Sequence, residues 1–526
     1  MNTLAARLRR LGLSSCNAAL FFPAALLASL FFGVAPARAA SCESLASLSL
    51  PDTVITKAVV VPAGAFTPPP IVGPPPPVDF GPVSYTDLPA FCRVFATLKP
   101  TSDSDIRVEV WLPVSGWNGK FEAVGGGGWA GTISYSAMAD AIRGGYATSS
   151  TDTGHQGASG KFALGHPEKL IDYAYRSEHE MTVEAKAITR AYYGSAPKYS
   201  YWNGCSTGGK QALTEAQRYP KDYNGIIAGA PANYMIHLHV FQVAIWDIAH
   251  KTPEAMIPPS KYPVIHAAVL NQCDALDGLK DGLIENPLLC HFNPKTIECK
   301  DGDEASCLTA AQVQTADAVY GPLRNPRTKQ IIFPGLEPGS ELGWNLALNA
   351  KEPLVAPDTF KYVVFKDANW DVRKLNLDSD VAYADKVDHG LNNAIDPNLG
   401  PFFAHGGKLI IYHGWADQLI APGNTLNYYA SVLKTVGTPA QQDMRLFMVP
   451  GMQHCRGGDG PNVFDMMPAI SQWAEGGKAP TEVIAAHKTK EGKVDRTRPL
   501  CPYPQIAKYK GTGSIDAAAN FVCAAK

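Results

Sequence analysis

The sequence predicts an α/β protein: a mostly parallel sheet flanked by helices, with a long insertion between its two halves. Three observations lead there. Short apolar strands alternate with helical stretches from about residue 106 to 228, and this rhythm lapses between about 231 and 400. It resumes at 408–412 and Met444–Val449. The 526 residues are 46% apolar, enough for a large core and more than one compact domain usually holds. Regular alternation of this kind builds a parallel sheet covered by helices on both faces.

The N-terminal stretch reads as an export leader. Arg7, Arg9 and Arg10 precede an apolar run near 18–34, broken by Pro23, and Ala37-Arg38-Ala39 is a small-x-small cleavage pattern. The run is short for a spanning helix. We therefore expect a signal peptide over 1–39 and a mature protein that is secreted or periplasmic, with no membrane partner. Its removal takes Cys16 and leaves ten of the 11 cysteines. An even number in an exported chain reads as a disulfide framework. Short loops favour Cys273–Cys290, Cys299–Cys307 and Cys501–Cys523, and Cys42 is left to pair with Cys92. Cys205 and Cys455 remain. Spacing alone does not fix the connectivity.

Residues 62–77 are too rich in proline for helix or central strand and read as an extended surface segment. Segment 106–112 alternates as a strand, and Lys120–Val124 is expected beside it across the turn at 116–119. Strands follow at 146–150, 199–202 and 224–228, with helices at 172–193 and from the turn at 204–209 to about Arg218. With 46 Lys+Arg against 48 Asp+Glu the formal charge is −2, and no basic run marks a nucleic-acid partner. Nothing in the sequence sets an oligomeric state.

Gly204-Cys205-Ser206-Thr207-Gly208 is a G-x-S-x-G sequence between a predicted strand and a predicted helix. That context is the one a nucleophile elbow requires, and the helix N-terminus behind it favours developing negative charge. A serine needs a base. His454 directly follows the strand Met444–Val449 in Pro-Gly-Met-Gln-His-Cys. The base needs an orienting carboxylate, and Asp417 follows the strand at 408–412 in His-Gly-Trp-Ala-Asp. Asp443, Asp459 and His487 are weaker alternatives because none directly follows a strand. The order Ser, Asp, His is that of an α/β-hydrolase core. This makes Ser206, Asp417 and His454 the expected catalytic triad. Its core occupies 40–232 and 401–526, with a large inserted lid domain at 233–400.

Cys205 precedes the serine and Cys455 follows the histidine. If Ser206 and His454 are within hydrogen-bond reach, these two cysteines are neighbours in space and a bridge between them would staple nucleophile to base. An oxyanion hole is expected from the Thr207 amide and a glycine amide of Gly125–Gly128, Gly128 before Gly127. Asp274, Asp277 and Asp281 put three carboxylates within eight residues. They repel unless solvated or bound to a cation, and hard oxygen donors suit calcium. The loop is not an EF-hand, because its sixth position is Leu279.

Seven segments together resemble the tannase and feruloyl esterase family: GGGGWAG at 125–131, STDTGH at 150–155, WNGCSTGGK at 202–210, GAPAN at 229–233, CDALDGLKDGLI at 273–284, HGWAD at 413–417 and GMQHC at 451–455. The likeness runs from about residue 42 to the C-terminus. It implies a lid inserted after the strand near Ala228 and a Cys205–Cys455 disulfide. It also implies a structural calcium ion in the lid, held by Asp274, Asp277 and Asp281 with the backbone carbonyls of Leu279 and Leu283, and no organic cofactor. His413 would line the site beside the triad. The implied activity is that of a serine carboxylic ester hydrolase acting on small esters of aromatic, hydroxycinnamic acids. The alternatives are gallate esters, as for a tannase, or a terephthalate monoester. Trp344 is the lid aromatic expected to bind substrate, with Phe360, Tyr362 and Trp370 able to stack on a phenolic ring. Residues 345–372 contain no arginine to clamp a terephthalate carboxylate; Arg324 and Arg373 are the nearest.

Overall fold

The computed structural model describes residues 40–70, 83–129 and 131–525. The expected signal peptide and part of the proline-rich segment lie outside these residues. Among the described residues, no helix is long and apolar enough to cross a membrane.

Nine strands form one sheet: β1 (Thr53–Val61), β2 (Phe91–Leu98), β3 (Ile106–Pro113), β4 (Lys120–Val124), β5 (Ala147–Thr151), β6 (Tyr199–Cys205), β7 (Gly225–Gly229), and two strands from the second half, Lys408–Gly414 and Met444–Val449. Their spatial order places β5 between β3 and β4, so Lys120–Val124 does not pair with the strand before it. It runs parallel to β5 on one side and β6 on the other. The turn after β3 suggested a hairpin. Strand β4 is instead buried on both faces, with Phe121 and Ala123 on one and Glu122 and Val124 on the other, and takes an interior parallel position. Strands β1 and β2, unread in the sequence, extend the edge antiparallel.

The strand residues show why this sheet is central. Along β6, Trp202 joins the core on one face and Tyr201 the core on the other; Ile226 and Ile227 divide in the same way, as do Leu409 and Ile410, and Leu446 and Phe447. Strands buried on both faces read as continuous apolar runs. Lys408–Gly414 pairs with β7, so the chain leaves the sheet at Gly229 and returns beside the strand it left.

Between those points, the described residues form helices, such as Met235–Ala249, Tyr262–Cys273 and Ala310–Tyr320, and one two-stranded ribbon, β8 (Leu323–Arg324) with β9 (Ile331–Phe333), and add no strand to the central sheet. This stretch builds cores of its own, one around Phe241, Ile265 and Trp344 and another around Trp246 and Phe360. The strands β10 (Lys408–Gly414) and β11 (Met444–Val449) then complete the sheet. Two C-terminal hairpins follow, β12 (Val483–Lys488) with β13 (Val494–Leu500) and β14 (Ile506–Tyr509) with β15 (Phe521–Ala524). Five disulfides join Cys42–Cys92, Cys205–Cys455, Cys273–Cys290, Cys299–Cys307 and Cys501–Cys523. The helix expected at 172–193 begins earlier, at Pro167, and is interrupted by a π turn over Asp172–Arg176.

Candidate active site

Ser206 stands at the junction of β6 and the helix Thr207–Arg218, at φ 65° and ψ −122°. That backbone conformation is costly for a residue with a side chain and persists only where its surroundings hold it. They do: the Ser206 amide donates to Gly229 O at 2.9 Å, and the Ser206 carbonyl accepts from Ala232 N at 3.1 Å. The glycines permit the tight turn. A β-carbon on Gly204 would lie 2.6 Å from Gly208 O, and one on Gly209 would lie 2.2 Å from Gly229 O.

His454 Nε2 lies 2.9 Å from Ser206 Oγ, and His454 Nδ1 lies 2.8 Å from Asp417 Oδ2. Asp417 is fully buried. Its Oδ1 accepts the amides of Leu419 and Ile420 at 2.8 and 2.9 Å. Burial alone would raise its pKa, but the charges and hydrogen bonds of His454 and His413 outweigh it and hold the carboxyl well below the usual range. Asp417 thus stays ionised, which fixes His454 with its proton on Nδ1 and its Nε2 lone pair toward the serine. The His454 amide is held in turn by Gln418 Oε1 at 3.1 Å.

The helix behind Ser206 leaves the Thr207 amide without an intrahelical acceptor. The glycine loop lies beside it. Gly208 N donates to Gly126 O at 2.8 Å, and Gly126 N donates to Gln211 Oε1 at 3.0 Å. With Gly126 so engaged, the loop amides left to serve an oxyanion are those of Gly127 and Gly128.

Two expected substrate contacts are corrected. His413 is fully buried against Asp417 and exposes no surface to a substrate in this structure. Its Nε2 faces both Ile420 O at 3.0 Å and Asp417 Oδ2 at 3.1 Å, and its Nδ1 faces Thr425 Oγ1 at 2.8 Å. Two acceptors on one side place the proton on Nε2, so His413 braces the triad carboxylate. The alternation of β10 turns this residue inward. Trp344 is fully buried too, packed on Tyr320 and Tyr262, with its Nε1 donating to Ser340 Oγ at 3.0 Å. It is core of the inserted segment. Phe360 and Trp370 likewise stack on each other.

The acidic turn is anchored to the C-terminal hairpin. Asp281 Oδ2 accepts from Arg498 at 2.6 Å, and Arg498 is 1% exposed. Arg496 donates to Asp281 O at 3.0 Å. Asp274 accepts the amides of Asp281 and Gly282, and Asp277 accepts that of Leu279. Burial, with Asp281 and Asp274 nearby, raises the Asp277 pKa. The donors are hard oxygens of the kind calcium takes. In this conformation, however, the described residues form no group of three or more His, Cys, Asp or Glu side chains placed to hold a metal ion. Leu279 packs its side chain beside Cys501, and Leu283 is buried near Gly451.

The doubly wound sheet, the strained serine at a strand–helix elbow and the order of serine, acid and base define the class: an α/β-hydrolase. Known proteins refine this. A family model described as tannase and feruloyl esterase matches residues 92–524. An uncharacterized esterase of Xanthomonas campestris pv. campestris is 38% identical over 535 residues, covering 92% of this chain and 91% of that protein. A probable feruloyl esterase B of Aspergillus clavatus is 36% identical over 447 residues, 80% of this chain and 84% of the relative. The crystal structure of feruloyl esterase B from Aspergillus oryzae matches with a TM-score of 0.83 at 32% identity, over 92% of this chain and 99% of that one. Tannin acyl hydrolase from Aspergillus niger shares the fold, with a TM-score of 0.74 at 22% identity over 91% and 92% of the two chains. The chain belongs to the tannase and feruloyl esterase family, and it is a feruloyl-esterase-like carboxylic ester hydrolase.

Sequence reading missed Gln211, Gln418 and Tyr173. Gln211 and Tyr173 lie within helices, where residue spacing gives no sign of a contact to the glycine loop. His155 sits in a quoted motif, yet only the fold reveals its partner, Trp129 O, at 2.6 Å.

Proposed function

We propose that this protein hydrolyses esters of hydroxycinnamic acids, of the ferulate type, through an acyl-enzyme on Ser206. The single observation that carries the mechanism is the continuous relay from Asp417 through His454 to Ser206 Oγ, with steps of 2.8 and 2.9 Å. His454 takes the serine proton as Oγ attacks the ester carbonyl. The amides of Thr207 and of Gly128 or Gly127 hold the oxyanion. His454 then protonates the leaving alcohol, and water repeats the cycle to free the acid. Asp417 remains ionised throughout and keeps the tautomer.

The acid is chosen by residues 233–400, acting as a lid. Two contacts support this: Trp129 Nε1 donates to Val355 O at 3.0 Å, and Val355 Cγ1 lies 3.5 Å from the β-carbon position of Gly128. The inserted segment therefore borders the glycine loop. A ferulate ester is favoured by the kinship with proteins named feruloyl esterase B. Gallate esters are the second reading, on the fold shared with the tannin acyl hydrolase. A terephthalate monoester is disfavoured, because Arg373 lies over the buried Trp246 ring and Arg324 donates to Lys329 O.

Export belongs to the same reading, supported by five disulfides and the leader pattern at 1–39. So does a calcium ion at Asp274, Asp277 and Asp281 with the carbonyls of Leu279 and Leu283. Arg498 offsets one of three carboxylates there, and the cation would offset the rest and fix the turn.

The test is turnover of methyl ferulate, chlorogenate, methyl gallate and mono(2-hydroxyethyl) terephthalate by the purified, oxidised protein. Preference for the cinnamates is expected, with activity abolished in Ser206→Ala. Normal turnover by that variant would defeat the mechanism, and preference for gallate would replace the substrate.

A further inference from the structure

The geometry points to Tyr173 as a positioning residue for the oxyanion hole. This rests on the reading of Ser206 as nucleophile and of the glycine loop as oxyanion donor. Tyr173 lies in the π turn Asp172–Arg176 and is buried. Its hydroxyl donates to Gly128 O at 2.8 Å, and Thr207 Oγ1 donates to the same oxygen at 3.1 Å. One carbonyl thus takes two hydroxyls, one from the residue after the nucleophile and one from a separate helix.

The rest of the loop is tied just as closely. Gly126 is held on both its amide and its carbonyl by the nucleophile helix. Trp129 stacks on the Tyr173 ring at 4.6 Å between centroids, and its carbonyl meets His155 Nε2. Among the described residues, the amides of Gly127 and Gly128 donate to no protein acceptor. A β-carbon on Gly127 would meet nothing within 4 Å, so the loop is open there. Fixing the carbonyl of Gly128 fixes the plane it shares with the Trp129 amide, and through the φ 56° backbone of Gly128 it limits the swing of the Gly128 amide on the other side of the same Cα.

The π turn is what brings the hydroxyl here. Such turns widen a helix by one residue and redirect its side chains, often at functional sites. In the same turn, Ala174 O accepts from Lys210 Nζ at 2.8 Å, and Lys210 is on the nucleophile helix. One turn therefore grips both parts of the oxyanion hole. Donors that are already aimed stabilise a developing charge without reorganisation, so loosening this grip costs the transition state and spares the ground state.

The test is Tyr173→Phe, which removes one oxygen and leaves Thr207 on the Gly128 carbonyl, so the fold is retained. We expect kcat to fall about 10- to 100-fold while KM and competitive inhibition by free ferulate stay within about twofold. Phenylboronic acid, which forms a tetrahedral adduct on the serine, should weaken in proportion to kcat. Phosphonate labelling of Ser206 should slow to match. A kcat within about twofold of the parent would overturn the proposal. So would parallel losses in kcat, ferulate binding and boronate binding, which mark a merely structural role. If the parent enzyme itself resists phosphonate labelling, the nucleophile reading fails and this proposal fails with it; labelling of parent and variant at equal rates defeats the proposal alone.

Discussion

Cys205 and Cys455 are joined by a disulfide across 250 residues of chain, and their neighbours Ser206 and His454 are hydrogen-bonded at 2.9 Å. The bridge therefore ties nucleophile to base one residue from each. The double variant Cys205→Ala/Cys455→Ala should fold on the remaining four bridges. Its kcat is expected to drop roughly 10- to 100-fold with KM little changed, since small misplacements of reacting groups are costly. The lost cross-link should also lower stability by about 5 kcal/mol or less. Steady-state kinetics and thermal melts of the oxidised proteins check both; an unchanged kcat would show that the loops hold the pair unaided.

The relation of His413 to Asp417 separates bracing from substrate contact. Asp417→Asn should cost roughly 10⁴-fold in kcat, because His454 would take the wrong tautomer. His413→Gln should cost about tenfold in kcat, with KM and the preference among esters unaltered, since the triad carboxylate keeps three of its four hydrogen bonds. A changed ester preference in His413→Gln would return this residue to the substrate pocket.

Trp344 fills the core of the inserted segment. Trp344→Ala should destabilise the protein by about 3–5 kcal/mol through the cavity it leaves. The ratio of kcat/KM for ferulate and gallate esters should hold. A shift in that ratio larger than the change in either melt or expression would argue for direct contact with substrate.

Calcium at the acidic turn should appear as a thermal effect first. Adding calcium to chelator-treated protein should raise Tm, and Asp277→Asn should abolish the rise while leaving turnover well below the melt nearly intact, because none of the three carboxylates hydrogen-bonds a triad residue. Equal melting with and without calcium would leave Arg498 as the cation that serves this turn.

His239 is buried against Thr359, its Nδ1 2.6 Å from Oγ1, and burial lowers its pKa to about 3. The folded state therefore disfavours the charged ring. Stability from this group is complete above the unfolded value of about 6.5. It declines as pH falls below that, because the unfolded chain binds a proton that the folded chain refuses until about pH 3. His155, lowered to about 4 by burial, acts in the same sense. Between about pH 6.5 and 4 the parent should lose Tm relative to His239→Gln, whatever slope the other titrating groups give both proteins and even if the variant melts lower at neutral pH. Equal slopes would show that this ring is protonated in the folded protein.

The sequence by itself determined the parts that depend on local pattern. A serine in a glycine elbow, an aspartate after one strand and a histidine after another are each read from a few adjacent residues, and the strands that carry them are apolar runs. The cysteines beside the serine and histidine follow from the same short segments. Tertiary structure decided what depends on direction and register. Lys120–Val124 looked like the hairpin partner of β3, yet it lies between β5 and β6, where both of its faces are covered. His413 stands four residues from Asp417 and Trp344 is an aromatic residue of the inserted segment, but both side chains are turned into the interior. Tyr173 lies 33 positions before Ser206 and meets the glycine loop from within a π turn, a feature that residue spacing does not announce. Spacing along a chain sets which residues share a face; the face they meet is set by packing between segments far apart in sequence.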